Sequence, residues 1–266
     1  MRAAALGIAL WLAAAAPETA RQAYERANGL FVEQKFAEAL EAVNRALAGD
    51  PTLVPALTLR AKLELAANRL PEARRDLERA VELEPGSAYA QFMLGFYYYL
   101  ANDFRLALAP LERARALDPA SSRTHFYLAL AYEGLAAADQ AIAMYERART
   151  LALEARKPDP DLSIAYARLL FTLGRYDGSL RLVDEVLVAD PGSRDAHYER
   201  GRLALEAGDF ARAVREGEQA LRLESVGTTA RQIHYLLARA YGRAGDRERA
   251  AEHLAKFQAS APTLRR

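Results

Sequence analysis

Four histidines, His125, His197, His234 and His253, are the side chains best suited to hold a metal or move a proton near neutral pH. None sits in a local ligand or catalytic pattern: the sequence holds no H-E-x-x-H, no G-x-x-x-x-G-K-[ST] and no G-x-S-x-G. Cysteine is absent, which excludes thiolate nucleophiles, cysteine metal sites and disulfides. Paired acids such as Asp184 and Glu185 are adjacent on a helix and point to different faces, so they make no acid–base pair. The expectation is a chain with no catalytic residues, no cofactor and no metal.

Aromatic and arginine side chains offer more. Tyr89, Phe92, Phe96, Tyr99 and Phe126 form an aromatic group near the middle of the chain, and Arg168, Arg202 and Arg239 follow, with Tyr198 and Tyr235 between them. Desolvated aromatic anchors contribute ~2 kcal/mol or more to an interface. Exposed ion pairs give about 0.2–1 kcal/mol. In a binding surface built from these residues, the rings would supply affinity, and the arginines would set orientation and association rate.

The elements that carry these residues repeat. Pro51, Pro85 and Pro119 stand 34 residues apart, and so do the small residues Ala27, Ala61, Gly95 and Ala129. Two further small sets, Ala39/Ala73/Ala107/Ala141 and Ala46/Ala80/Ala114/Ala148, keep the same spacing. Each copy reads as an apolar-periodic segment, a turn, and a second apolar-periodic segment closed by proline, which cannot continue a helix. Turns such as Asn102-Asp103-Phe104, Gly174-Arg175-Tyr176, Gly208-Asp209-Phe210 and Gly245-Asp246-Arg247 supply a glycine or asparagine for the left-handed residue that ends a helix. The small residues fall where two helices cross closely. A fixed period of this length predicts an all-α solenoid of stacked helix-turn-helix units.

The matching positions, best seen in Leu94, Gly95, Tyr98, Phe104, Ala107, Leu111, Ala114 and Pro119, resemble the tetratricopeptide repeat (TPR) family over about residues 20–258. The resemblance implies a right-handed α-solenoid of seven repeats at 20–53, 54–87, 88–121, 122–155, 160–193, 194–227 and 231–258, with an insertion at 156–159 and a tail at 259–266. Repeat four has Leu153 where the closing proline is usual, so its second helix should run about one turn longer before a kinked connection. Repeat six has Gly217 at a large position, and repeat seven puts Phe257 at a small one. The last helix carries Arg247, Glu248, Arg249, Glu252 and Lys256 as a polar end cap. The period suggests two blocks, divided after repeat four.

In this register His125, His197 and His234 fall at the fourth position of their repeats, where a packing residue is usual, and His253 lies on the last helix away from that column. The second, fifth, ninth and twelfth positions share one helical stripe, and the resemblance implies that this stripe faces the concave groove. It holds Tyr89, Phe92, Phe96, Tyr99, Phe126, Arg168, Tyr198, Arg202, Tyr235 and Arg239, a candidate peptide-binding groove with an aromatic centre and an arginine-lined carboxyl-terminal half. The family's clamp for chaperone tails is missing: Asn28 matches, but Tyr24, Leu59, Tyr89 and Met93 fill its other places.

Formal net charge is +1, which argues against nucleic acid or an anionic membrane as partner. Residues 1–16 differ from the rest. After Met1-Arg2 the run Ala3 to Ala16 is uncharged, short of the ~20 residues that span a bilayer and suited to a secretory signal peptide cleaved near Ala15. The sequence thus reads as an exported, periplasmic or secreted, bacterial scaffold that binds a protein or peptide segment, with no stable membrane insertion once the signal is removed. An uncleaved anchor, a simple leading helix and a cytoplasmic location are alternatives for this segment. Self-association into a homo-oligomer is the alternative for function.

Overall fold

The computed structural model describes residues 18–223 and 227–260. The signal-peptide expectation therefore lies outside the described residues. The described residues form fourteen helices and no strand, in the all-α helical-repeat solenoid class. Contacts group the chain into two compact units, one ending at Ala101 and one beginning at Asn102. The boundary thus falls inside repeat three, not after repeat four.

The first unit contains α1 (Ala20–Val32), α2 (Phe36–Gly49), α3 (Val54–Ala66), α4 (Leu70–Leu83) and α5 (Ala88–Leu100). The second contains α6 (Phe104–Leu117), α7 (Ser122–Gly134), α8 (Ala138–Glu154), α9 (Pro160–Thr172), α10 (Tyr176–Ala189), α11 (Arg194–Glu206), α12 (Phe210–Arg222), α13 (Ala230–Ala244) and α14 (Arg247–Ala259). In each unit, contacts join elements adjacent in the chain and alternate first helices, such as α3 with α5 and α9 with α11. That nearest-neighbour pattern is what defines a solenoid.

First helices other than α3 start on side-chain caps, whereas among second helices only α12 and α14 do, on Asp209 and Asp246. Ser87, Ser121, Asp159 and Ser193 each accept a backbone N–H of the first turn, and Thr19 and Thr229 complete capping boxes with Gln22 and Gln232. The second helix instead follows a tight turn in which a left-handed residue closes the first, as in the Arg175 N–H bond to the Leu170 carbonyl at 2.8 Å. Asn68, Asn102, Gly174, Gly208 and Gly245 supply that residue, but so do Gln34 and Ala136, which carry the strain of a Cβ at positive φ; Arg156 closes the second helix α8 in the same way. The closing Asp-Pro steps form Asx turns: the Asp50 and Asp190 carboxylates accept the Thr52 and Gly192 N–H at 2.8 and 2.9 Å.

Small residues sit at the crossings. Ala27, Ala39, Ala46, Ala61, Ala107, Ala129, Ala141 and Ala167 are wholly buried. Where the pattern departs from its norm, a neighbour compensates. A Cβ on Gly217 would lie 2.7 Å from Leu237 Cδ2, so a leucine from α13 fills the space of the missing large residue. The second helix of repeat four, α8, has 17 residues against 14 in α10. Helix α14 buries no residue, as suits an end cap. Successive repeats are also latched by tyrosine. The hydroxyls of Tyr98, Tyr132 and Tyr166 donate to Glu78, Glu112 and Glu146 at 3.3, 3.1 and 3.1 Å, and Tyr241 donates to Glu218.

Candidate functional site

In the first unit the stripe residues of α5 divide by depth. Tyr89 is 48% exposed, Phe96 and Tyr99 are half-buried, and Phe92 is buried at 7%. Phe92 and Phe96 stack nearly parallel with centroids 6.1 Å apart. Phe92 is therefore a packing residue, and the accessible ring surface of this stripe belongs to Tyr89, Phe96 and Tyr99. The same stripe on α1 and α3 brings Lys62 Nζ to 4.2 Å from the centre of the Phe31 ring.

In the second unit the arginines are not the open positive ladder that the sequence suggests. Arg168 on α9 donates through Nε to Glu199 at 2.7 Å, and its Nη2 lies 3.4 Å from Asp195 and 3.3 Å from Thr228 Oγ1. Arg202, one turn along α11, donates to the other Glu199 oxygen at 2.6 Å. Arg239 on α13 reaches Glu206 at 3.3 Å. Burial works against the Arg168 charge, but Glu199 and Asp195 outweigh it and hold the guanidinium above its ordinary range. Each arginine thus has a carboxylate partner within the chain, and the cluster is close to neutral.

This network fixes the arginines in place. Glu199 is almost inaccessible, with 2% of its side chain exposed, and it anchors both guanidinium groups. The Arg202 plane lies 3.9 Å over the Phe171 ring, with Tyr198 on a further side at 5.9 Å. Desolvation raises the Tyr198 hydroxyl above the usual phenol range. Asp195 also accepts the Thr228 N–H at 2.6 Å and its hydroxyl, tying the connection before α13 to α11. Gly227 allows that approach, since its Cβ would lie 2.4 Å from Asp195 Oδ2. Phe126 is half-buried and tilts against Tyr145 at 6.1 Å, whereas Tyr235 is 46% exposed beside Phe257 at 5.1 Å.

The histidines serve packing, with one correction. His125 is buried with Nδ1 2.9 Å from the Ser121 carbonyl, and His197 lies between Glu216 at 2.7 Å and the Pro191 carbonyl at 3.0 Å. His253 is not remote from the histidine column. Its Nδ1 lies 2.9 Å from that of His234, and its ring stacks on Tyr241 at 5.6 Å. The pair joins because α13 and α14 form one hairpin, which places their facing sides together despite the 19-residue separation. Among the described residues no group of three His, Cys, Asp or Glu is placed to hold a metal ion. A recess of about 420 Å³ lies between α8, α9 and α10, away from the stripe, with Glu146, Arg149, Arg181 and Glu185 as charged walls of both signs.

Hairpins stacked on nearest neighbours, small residues at the crossings and a stripe of aromatic and arginine side chains describe a protein-interaction repeat. Tetratricopeptide-repeat family models match residues 30–95, 164–227 and 233–263, together more than half of the chain. The chain belongs to the tetratricopeptide-repeat family, whose members generally mediate protein–protein interactions. The family model for anaphase-promoting complex, cyclosome, subunit 3 matches residues 77–148. A stretch of 69 residues is 36% identical to Hsp70-Hsp90 organizing protein 3 of Arabidopsis thaliana, covering 26% of this chain and 12% of that protein. Among solved structures, the chain is similar to one in the APC/C hetero-tetramer Cut9-Hcn1, with TM-score 0.74, 18% identity and coverage of 85% of this chain and 43% of that one. It is also similar to Pseudomonas aeruginosa pilF, with TM-score 0.66, 21% identity and coverage of 76% and 91%. At these identities the likeness is one of fold, and the chain spans only a small part of the plant protein and under half of the Cut9-Hcn1 chain.

Proposed function

We propose that this protein is a non-catalytic scaffold that binds a protein or peptide segment along the face formed by its first helices. The observation that carries the reading is the pinned Arg202, held on Phe171 at 3.9 Å and by Glu199 at 2.6 Å with 28% of its side chain still exposed. A guanidinium ordered before binding loses little rotamer entropy when a partner arrives, which is how preorganisation raises affinity. Tyr198, Tyr235 and Arg239 extend the same face in the second unit, and Tyr89, Phe96 and Tyr99 provide an aromatic face in the first. The relatives agree in kind: one is named as an organizing protein, and another is a chain of a hetero-tetramer. Export through residues 3–16 is part of the proposal and rests on the sequence of that segment.

Because the arginines already hold carboxylates, recognition here depends on ring and guanidinium faces more than on net positive charge. Tyr235→Ala/Arg239→Ala in the second unit and Tyr89→Ala in the first test the reading, since all three side chains are exposed and their loss spares the core. A partner recovered from the native host by the parent protein should be lost or weakened at least ~10-fold in one of these variants. Equal recovery by both variants, with unchanged circular dichroism, would refute the assignment of this face. The self-association alternative is separated by light scattering across a concentration series: a mass that rises with concentration and falls back in the same variants favours it.

A further inference from the structure

One joint in the first unit departs from the tyrosine latch. Where a tyrosine hydroxyl meets a glutamate between later hairpins, the corresponding residues between α2 and α3 are Asn44 and Glu64. Glu64 is 8% exposed, and its Oε2 is buried without a hydrogen-bond partner. The guanidinium on its own helix serves the neighbouring acid instead. Arg60 is committed to Asp76 through two bonds at 2.6 and 2.7 Å, and its remaining reach goes to Asn44 Oδ1 at 3.2 Å.

We propose that the α2–α3 joint is a pH-sensitive hinge, closed while Glu64 carries its proton and loosened when Glu64 ionises. A protonated carboxyl is tolerable in a buried position with one unpartnered oxygen, whereas a carboxylate there is not. From α4 the ionised group meets Asp76 and Glu72, which repel it, and Arg69 at the start of that helix, which attracts it. From its own helix Arg60 attracts it, and from α2 comes the uncharged Asn44 amide held by Arg60. Burial first, then Asp76, pushes the Glu64 carboxyl up to about 7. The raised value fixes the sign. The closed joint is most stable below the ordinary glutamate value of 4.5, loses stability as pH rises toward about 7, and is level above that. The hinge bears on the candidate binding face of the first unit, because Lys62 of α3 lies over Phe31 of α1 across this same joint.

Hydrogen-exchange protection of α1 and α2 in the full chain, corrected for intrinsic rates, tests the hinge at about pH 5 and about pH 8. The parent protein should lose protection at least ~10-fold at the higher pH in α1 and α2, with much less change in α9 and α10. Glu64→Gln, which cannot ionise, should show no such difference. The double variant Asn44→Glu/Glu64→Tyr rebuilds the latch found in later repeats and should stay protected at both pH values, which covers the case in which the glutamine variant is poorly folded. Flat protection in the parent chain, or an undiminished pH effect in Glu64→Gln, would overturn the proposal.

Discussion

Replacing Glu199 by alanine removes one buried carboxylate and leaves two arginines without their shared anchor. The side chain is 2% exposed and binds Arg168 at 2.7 Å and Arg202 at 2.6 Å. Deleting one member of a fully buried ion pair costs about 3–5 kcal/mol, because the surviving charge stays desolvated. Here the arginine side chains are 40% and 28% exposed and can turn partly to water, which lowers the expected loss to roughly 2–3 kcal/mol. With a urea dependence of about 2 kcal/mol/M, the unfolding midpoint should fall by ~1 M. Glu199→Gln keeps one acceptor and the side-chain volume, so its loss should be roughly half as large. Hydrogen exchange should place the weakening in α9 and α11, and Arg202 should leave the Phe171 ring, raising the arginine's mobility in NMR relaxation. An alanine variant within ~0.5 kcal/mol of the parent protein would show that the network is solvated and neutral in stability, and the preorganisation argument would fail with it.

Gly217→Ala places a methyl 2.7 Å from Leu237 Cδ2 and 3.0 Å from its Cγ, and Leu237 is fully buried. Overpacking of this kind should cost about 1–3 kcal/mol, read as a lower thermal midpoint, and the same Gly217→Ala change should cost less in a Leu237→Ala background. The His234–His253 pair gives an acid dependence of opposite sign to that of Glu64. Burial, with Lys256 beside His253 and His253 beside His234, lowers both imidazoles below their ordinary 6.5. Stability of the α13–α14 hairpin should therefore be complete above that value and decline as pH falls through it. Amide protection in α14 should drop first, and the double variant His234→Gln/His253→Gln should abolish the acid effect. An acid effect that persists in that variant would assign it elsewhere.

The fold was legible because its determinants are local and periodic. Small residues at Ala27, Ala61 and Ala129 and proline at Pro51 and Pro119 each report one crossing or one helix end, and each recurs in register. The stripe of aromatic and arginine residues was legible in sequence, but its electrostatic state was not. A period assigns Arg168 and Arg202 to a stripe, yet whether they are free depends on Asp195 and Glu199, which lie in the next repeat for Arg168 and on the same helix for Arg202. Asp195 and Glu199 lie 27 and 31 residues beyond Arg168, and Glu206 lies 33 before Arg239. Those offsets are close to the 34-residue repeat, so the partners occupy neighbouring rows of the same face. Had the stripe been read in pairs of repeats, with Arg168 and Arg239 matched to acids about one repeat away and Arg202 to the acid one turn before it, the neutral cluster would have been visible in the sequence. The Thr228 contact, 60 residues from Arg168, has no such signal. It arises from the three extra residues before α13, and an insertion breaks the register on which the inference depends. The latch shows the same boundary between what a period supplies and what it leaves open. Tyr98 and Glu78 are 20 residues apart, as are Tyr132 and Glu112, so a repeated pair marks a repeated bond. Glu64 at the matching place marks where that bond is replaced by an ionisable group, and in a repeat protein such departures are where chemistry specific to one chain can enter.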